Sequence, residues 1–214
     1  MRLSSSRVRR ALAVGCVAGW LCASVAQANP PDASQPSTDV RNLVQAALVS
    51  GDHRQRPFAV VDKRAARLHV FDAAGRPLAE TPVLLGAALG DHSAPGVGER
   101  PPSEIAPHER TTPAGRFVAE PGRNLDGEHV LWFDYGAGLA IHRLRPSAAY
   151  AARSERLAKA DPRARRVSLG CVVVPAAFYD SVVVPLLASR GGAMVYVLPE
   201  TVAAGALFAS LRID

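Results

Sequence analysis

One cysteine and one histidine carry the chemistry that this chain can offer. The strip Arg165-Arg166-Val167-Ser168-Leu169-Gly170-Cys171-Val172-Val173-Val174-Pro175 leads a small polar residue and a glycine into a thiol, then into a β-branched run. Gly170 permits a tight turn, because it lacks a Cβ and reaches backbone conformations closed to other residues. The valines read as a buried strand that fixes the turn at the rim of a core. A nucleophilic thiol needs a base or a cation to supply its thiolate, and donors for the oxyanion that forms when it attacks a carbonyl. His142 is the best base. It closes an apolar stretch, Gly138-Leu139-Ala140-Ile141-His142, and is followed by Arg143, Arg145 and Pro146, so it stands at a strand end. Backbone N–H groups around Gly170 and Cys171 are candidate oxyanion donors. Ser168 and Arg166 are placed to brace the turn or to meet a substrate carboxylate.

Other histidines are weaker candidates. His69 lies inside an alternating strand and reads as an ordinary strand residue. His92 and His108 sit in a Gly/Pro-rich loop, match no standard zinc spacing and have no cysteine beside them, so no metal site and no organic cofactor is expected.

The elements that position the pair are mostly strands. Residues 29–56 read as a linker followed by a short helix over Val40–Val49, ended by Gly51. A meander follows: Phe58–Asp62, Arg67–Phe71, then Pro77-Leu78 and Thr81–Gly86. Residues 87–113 hold eight Gly or Pro residues and read as a functional lid or substrate-facing rim. A strand from Phe117, and paired strands over Glu128–Tyr135 and Gly138–His142, come next. Ser147 to Ala160 reads as an inserted helix capped by Ser147, and Pro175 to Ser189 as a helix kinked or shortened at Pro185. Gly192–Pro199 is the last buried strand, and residues 201–214 form a tail. The fold class expected is mostly β, a β-rich α+β domain over residues 57–200 with a few short helices.

The first 28 residues read as a secretory signal peptide. Arg2, Arg7, Arg9 and Arg10 precede an apolar run from Ala11 to Val25, and Ala26-Gln27-Ala28 is a small-x-small cleavage site. Cleavage after Ala28 implies a periplasmic or secreted protein with no membrane span. It also lowers the formal charge from +6 to +2 and leaves Cys171 as the single cysteine. Scattered basic residues and few aromatics give no support to nucleic-acid binding.

The strip resembles the L,D-transpeptidase (YkuD) family, whose signature is a His, a spacer, then Ser/Thr-His-Gly-Cys. Further likenesses are Val60-Val61-Asp62 with Arg67-Leu68-His69-Val70-Phe71, the strand ending in Gly86, and Thr112-Pro113-Ala114-Gly115-Arg116-Phe117. The resemblance implies an L,D-transpeptidase-like β-sandwich or barrel. It also implies attack by Cys171 on the carbonyl between an L- and a D-centre of a peptidoglycan stem peptide, with His142 as base and Ser168 and Gly170 shaping the turn. The thioester would pass to an amine, giving a cross-link, or to water, giving a carboxypeptidase or hydrolase. A wall-binding protein with a silent Cys171 is the third reading. Three departures stand out: Leu169 replaces the signature's second His, the step from His142 to Cys171 is a long 29 positions, and Val172 and Val173 follow the cysteine.

Overall fold

The computed structural model describes residues 35–189 and 191–209. The expected leader, most of the linker and the end of the tail lie outside the described residues. Helix α1 (Thr38–Ser50) is capped by the Ser37 hydroxyl, which accepts from the Val40 N–H, and ends at Gly51 in the left-handed region, φ 68°. The strands are β1 (Phe58–Asp62), β2 (Arg67–Phe71), β3 (Pro77–Pro82), β4 (Leu85–Gly86), β5 (Gly115–Arg123), β6 (His129–Asp134), β7 (Leu139–Arg143), β8 (Arg166–Ser168), β9 (Val172–Val174) and β10 (Ala193–Val197). Three short 3-10 turns punctuate the long loop, and another precedes β8. Helix α2 (Tyr150–Ala158) lies between β7 and β8, helix α3 (Ala176–Phe178) follows β9, and α4 (Gly205–Ala209) comes last.

Eight strands form one mixed sheet in the order β3-β2-β1-β10-β5-β6-β7-β9, and β4 pairs with β8 in a parallel two-stranded sheet. The expected third strand is therefore split. Pro82 ends β3, and the chain then swings across to β9, where Leu84 and Val173 exchange both backbone hydrogen bonds at 2.9 Å. Those two bonds link one end of the large sheet to the other, so the sheet curves toward a barrel. The domain is strand-rich with few short helices, as the hydrophobic pattern predicted.

Alternation along the strands divides the core into two faces. Ala59, Val61, Leu68, Val70, Leu131, Ile141, Val172, Val174 and Val195 pack with Tyr179, Val183 and Leu187. These last three come from a π-helix, Tyr179–Ala188, that continues α3. The sequence pattern reads as a helix kinked or shortened at Pro185. Pro185 has no N–H to offer and clashes with an α-helical neighbour, and the wider winding accommodates it. Phe58, Val60, Met194 and Tyr196 face the other way and bury Val40, Leu43 and Ala47 of α1. Helix α1, which the sequence places ahead of the domain, is thus part of its second core. Leu84, Leu144, Val173 and Leu157 of α2 form a third, small cluster. Helix α2 begins at Tyr150, and Ala149 stands at its cap position without a side-chain bond, so Ser147 does not cap it.

The long loop is tied down at its base. Lys63, wholly buried, donates to Asp91 at 2.7 Å, to the Gly90 carbonyl at 2.6 Å and to the Thr112 carbonyl at 2.8 Å. Asp91 also accepts from the Glu200, Thr201 and Val202 N–H groups. Burial pushes the Lys63 ammonium below its ordinary pKa. Burial alone would raise the Asp91 carboxyl, but Lys63, the Thr201 hydroxyl and the backbone donors outweigh it and hold it well below the carboxylate range.

Asp91→Ala leaves the Lys63 ammonium buried beside only the more distant Glu200, and should cost about 3–5 kcal/mol in denaturant unfolding. A loss under about 1 kcal/mol would show that Lys63 is neutral in the folded protein. The folded Asp91 carboxyl titrates below its unfolded value of about 3.9, so its contribution is complete above that pH and lost as pH falls through the folded pKa. The difference in unfolding midpoint between wild type and Asp91→Ala should therefore stay level from neutrality to about pH 4 and shrink below it.

Candidate active site

Cys171 closes the turn between β8 and β9. Ser168, at the end of β8, donates its hydroxyl to the Cys171 carbonyl at 2.7 Å and accepts the Gly170 N–H at 3.1 Å. One hydroxyl thereby braces both sides of the thiol-bearing turn. Gly170 has φ 134°, and a Cβ there would lie 2.7 Å from the Thr111 carbonyl oxygen and 2.8 Å from Leu139. Only glycine fits, for reasons of backbone conformation and of space. The Gly170 N–H is committed to Ser168, which corrects its expected role as an oxyanion donor. Of the two donors named from sequence, that leaves the Cys171 N–H.

The turn is fastened from behind by Thr112. Its buried hydroxyl donates to the Gly170 carbonyl at 2.8 Å and accepts the Gly86 N–H at 2.9 Å. Gly86 is again required, since a Cβ would come within 2.3 Å of the Arg110 carbonyl oxygen. The Ala87 N–H donates to the Ser168 carbonyl at 3.0 Å, extending the β4–β8 pairing toward the turn. Three separate stretches singled out in the sequence, at Gly86, at Thr112 and at Ser168–Cys171, meet through one threonine oxygen.

His142 reaches the same place along β7. Strands β7 and β9 are parallel, with Ile141 beside Val172 and His142 beside Val173. Cys171 therefore lies beside Ala140, and His142 is its diagonal neighbour two residues on, with backbones about 7–8 Å apart. The thiol is partly exposed, and its hydrogen bond runs to the Gly138 carbonyl at 3.9 Å rather than to the imidazole. His142 Nδ1 lies 2.8 Å from the Arg143 carbonyl, an acceptor only, so Nδ1 carries the proton and Nε2 keeps its lone pair. Burial pushes the imidazole down to about 4; the Arg143 carbonyl opposes this, and the positive charge of Arg145 reinforces it. Burial also pushes the thiol above its ordinary 9.0, against the Ala140 N–H and the Arg145 charge, which favour thiolate. At neutral pH both partners rest uncharged. The pair is fit for base-assisted attack, in which the proton moves as the new bond forms, and not for a standing thiolate–imidazolium couple.

The remaining sequence candidates are dispersed. Arg166 is committed to Glu200 and to the Lys63 carbonyl, in the network that anchors the long loop. It braces that network and does not present a free guanidinium to a substrate. Leu169 is half-buried within the turn. His69 is buried in β2, with Nδ1 3.2 Å from Glu80. The long loop reaches the site, since Gly98 packs so closely on the turn after β6 that a Cβ would lie 2.2 Å from the Gly136 carbonyl oxygen. Among the described residues, no three His, Cys, Asp or Glu side chains converge as metal ligands. No helix among them is long and apolar enough to cross a membrane. Sequence reasoning missed Arg145, the cation whose field acts on both His142 and Cys171. Its place two residues beyond the strand end was the available signal.

Thr112→Val keeps the shape of the side chain but strands the Gly86 N–H and the Gly170 carbonyl without partners. The expected cost is about 2–5 kcal/mol in denaturant unfolding, with Thr112→Ser recovering most of it. Equal stability of Thr112→Val and wild type would remove Thr112 from the centre of this site.

No family profile and no curated protein matches the chain. Solved structures give distant likenesses. An L,D-transpeptidase from Mycobacterium smegmatis and the L,D-transpeptidase LdtMt1 in complex with imipenem are each 17% identical, with TM-score 0.38, over 66% of this chain and 58% of theirs. The catalytic domain of the E. faecium L,D-transpeptidase is 17% identical, with TM-score 0.37, over 68% of this chain and 99% of that one. The chain thus spans 58% of the length of the first two. Likenesses this distant carry no argument about activity, which has to come from the site itself.

Proposed function

We propose that this chain is an exported cysteine acyltransferase of the L,D-transpeptidase kind, acting on peptidoglycan stem peptides. The observation that carries the reading is the convergence of Gly86, Thr112 and the Ser168–Cys171 turn, with the neutral, tautomer-fixed His142 one diagonal step from the thiol. The resembling motifs lie 26 and 58 residues apart in sequence, yet share one hydroxyl.

In the reaction this supports, the Cys171 sulfur bonds to the carbonyl carbon as its proton passes to His142 Nε2. The tetrahedral oxyanion takes the Cys171 N–H. Collapse breaks the bond to the D-residue nitrogen, which leaves as an amine carrying the proton from His142. An acceptor amine then attacks the thioester, gives its proton to Nε2 and displaces the Cys171 sulfur, which is reprotonated from the imidazole. Water in place of the amine yields a shortened stem. The leader ahead of residue 29 agrees with work outside the cytoplasm, where such substrates lie.

Intact mass after incubation with a carbapenem, a β-lactam acylating probe, tests the nucleophile. A single adduct is expected on wild type and none on Cys171→Ala. His142→Ala should slow adduct formation by about 10²–10⁴-fold, the usual contribution of a positioned base. Unchanged acylation in that variant would remove His142 from the mechanism. Stem tetrapeptide with and without an amine acceptor then separates cross-linking from hydrolysis by product mass.

The rest state also sets a pH signature. Second-order alkylation of Cys171 by iodoacetamide should rise with pH through the region above the ordinary thiol value of 9.0. It should show no plateau between pH 5 and 8. Acylation by the carbapenem should instead be level near neutrality and fall as pH drops through about 4, where Nε2 becomes protonated. A flat, fast alkylation plateau at pH 5–6 would mean a standing ion pair and contradict the neutral couple.

A further inference from the structure

Beside the thiol, on the same half of the large sheet, lies a groove of about 360 Å³ lined by Glu120, Gly122, Arg123, Trp132 and Tyr135, among others. Glu120 and Trp132 are cross-strand partners, and Gly122 is diagonal to the indole. A Cβ on Gly122 would lie 2.7 Å from Trp132 Cδ1 and 2.8 Å from Nε1, so the ring packs directly on glycine backbone. Tyr135, 79% exposed, stands edge-on to the indole with ring centroids 5.4 Å apart. The groove joins the site through the turn after β6, where the Gly138 N–H donates to the Tyr135 carbonyl at 3.0 Å and the Gly138 carbonyl accepts the Cys171 thiol.

We propose that this groove binds a pyranose ring of the wall glycan, holding the polymer while its stem peptide reaches Cys171. The identification of the polymer rests on the peptidoglycan reading above; the chemistry of the groove points to a sugar on its own account. An aromatic face with a second ring at right angles presents a flat apolar floor and a wall, which suit the C–H face of a pyranose. Glu120 and Arg123 flank it with one charge of each sign, fitting an uncharged, hydroxyl-rich ligand better than an anion or a cation. A peptide has less to gain here. Strand β6 is already hydrogen-bonded on both edges, to β5 and β7, so an extended chain cannot add to it as a further strand.

The test titrates chitotetraose, a β-1,4-linked N-acetylglucosamine tetramer without any peptide, into the full chain carrying Trp20→Phe. The sequence has two tryptophans, so Trp132 becomes the only one and its fluorescence reports the groove. A saturable change at millimolar sugar or below is expected. Tyr135→Ala, which removes an exposed ring and leaves the core intact, should weaken binding by about fivefold or more. No saturable change, or equal affinity in Tyr135→Ala, overturns the proposal, as does a change produced by free stem tetrapeptide and not by the sugar. Carbapenem adduct mass on Cys171, measured on the same sample, keeps the two readings apart. Sugar binding without an adduct would count against the acyltransferase and leave the glycan groove standing; an adduct without sugar binding would do the reverse.

Discussion

The hydroxyl of Thr112 is the interaction on which the arrangement of this protein depends. It accepts from the backbone at Gly86 and donates to the backbone at Gly170, two groups that water cannot reach and that have no ladder partner at that point. Each such bond contributes about 1 kcal/mol net, while leaving either group unpaired costs about 1–3 kcal/mol. The penalty, more than the gain, makes the junction specific. Glycine at positions 86 and 170 follows from it, because backbone from residues 110–112 passes where a Cβ would be.

A second constraint is electrostatic. Lys63 and Arg166 meet Asp91 and Glu200 in a largely buried cluster that draws together the end of β1, the base of the long loop and the segment after β10. Buried ion pairs add little net stability, because desolvation offsets much of the attraction. Each of the three Lys63 donors nevertheless has an acceptor, at Gly90, Asp91 and Thr112. That matching holds residues 90–91 in place, and so fixes where the rest of the loop emerges beside the Gly136–Gly138 turn and the thiol.

The neutral rest state of Cys171 and His142 has a consequence for the reactivity of the thiol. Thiolate is the species that oxidants and disulfides attack. A thiol that stays protonated until a substrate carbonyl arrives is less open to that chemistry. Burial makes the imidazole a weak base in absolute terms. Its efficiency must come from position, which the Arg143 carbonyl supplies by fixing the ring and its tautomer.

Much of this was legible from residue order. Alternation in β2, and short apolar runs bounded by turn residues in β1, β6, β7 and β10, identified these strands, because both patterns follow from strand geometry and burial. Gly170 before Cys171 announced a tight turn, since the conformational freedom of glycine is a property of the residue. His142 at the end of an apolar run announced a side chain at a strand end. What the sequence could not disclose was everything that depends on distant partners. Leu84 pairs with Val173, Lys63 is held by partners 27 to 137 positions away, and the Gly170 N–H is consumed by a neighbouring hydroxyl. The Pro175 helix winds as a π-helix that accommodates Pro185 while Tyr179, Val183 and Leu187 pack on the sheet. Arg166, read as bracing the turn or meeting a substrate carboxylate, is paired instead with Glu200 and the Lys63 carbonyl. Local propensity determined which elements form and where the chemistry-bearing residues sit on them. Tertiary structure alone decided which donors, acceptors and charges remain unspent, because only packing brings their partners within hydrogen-bonding reach.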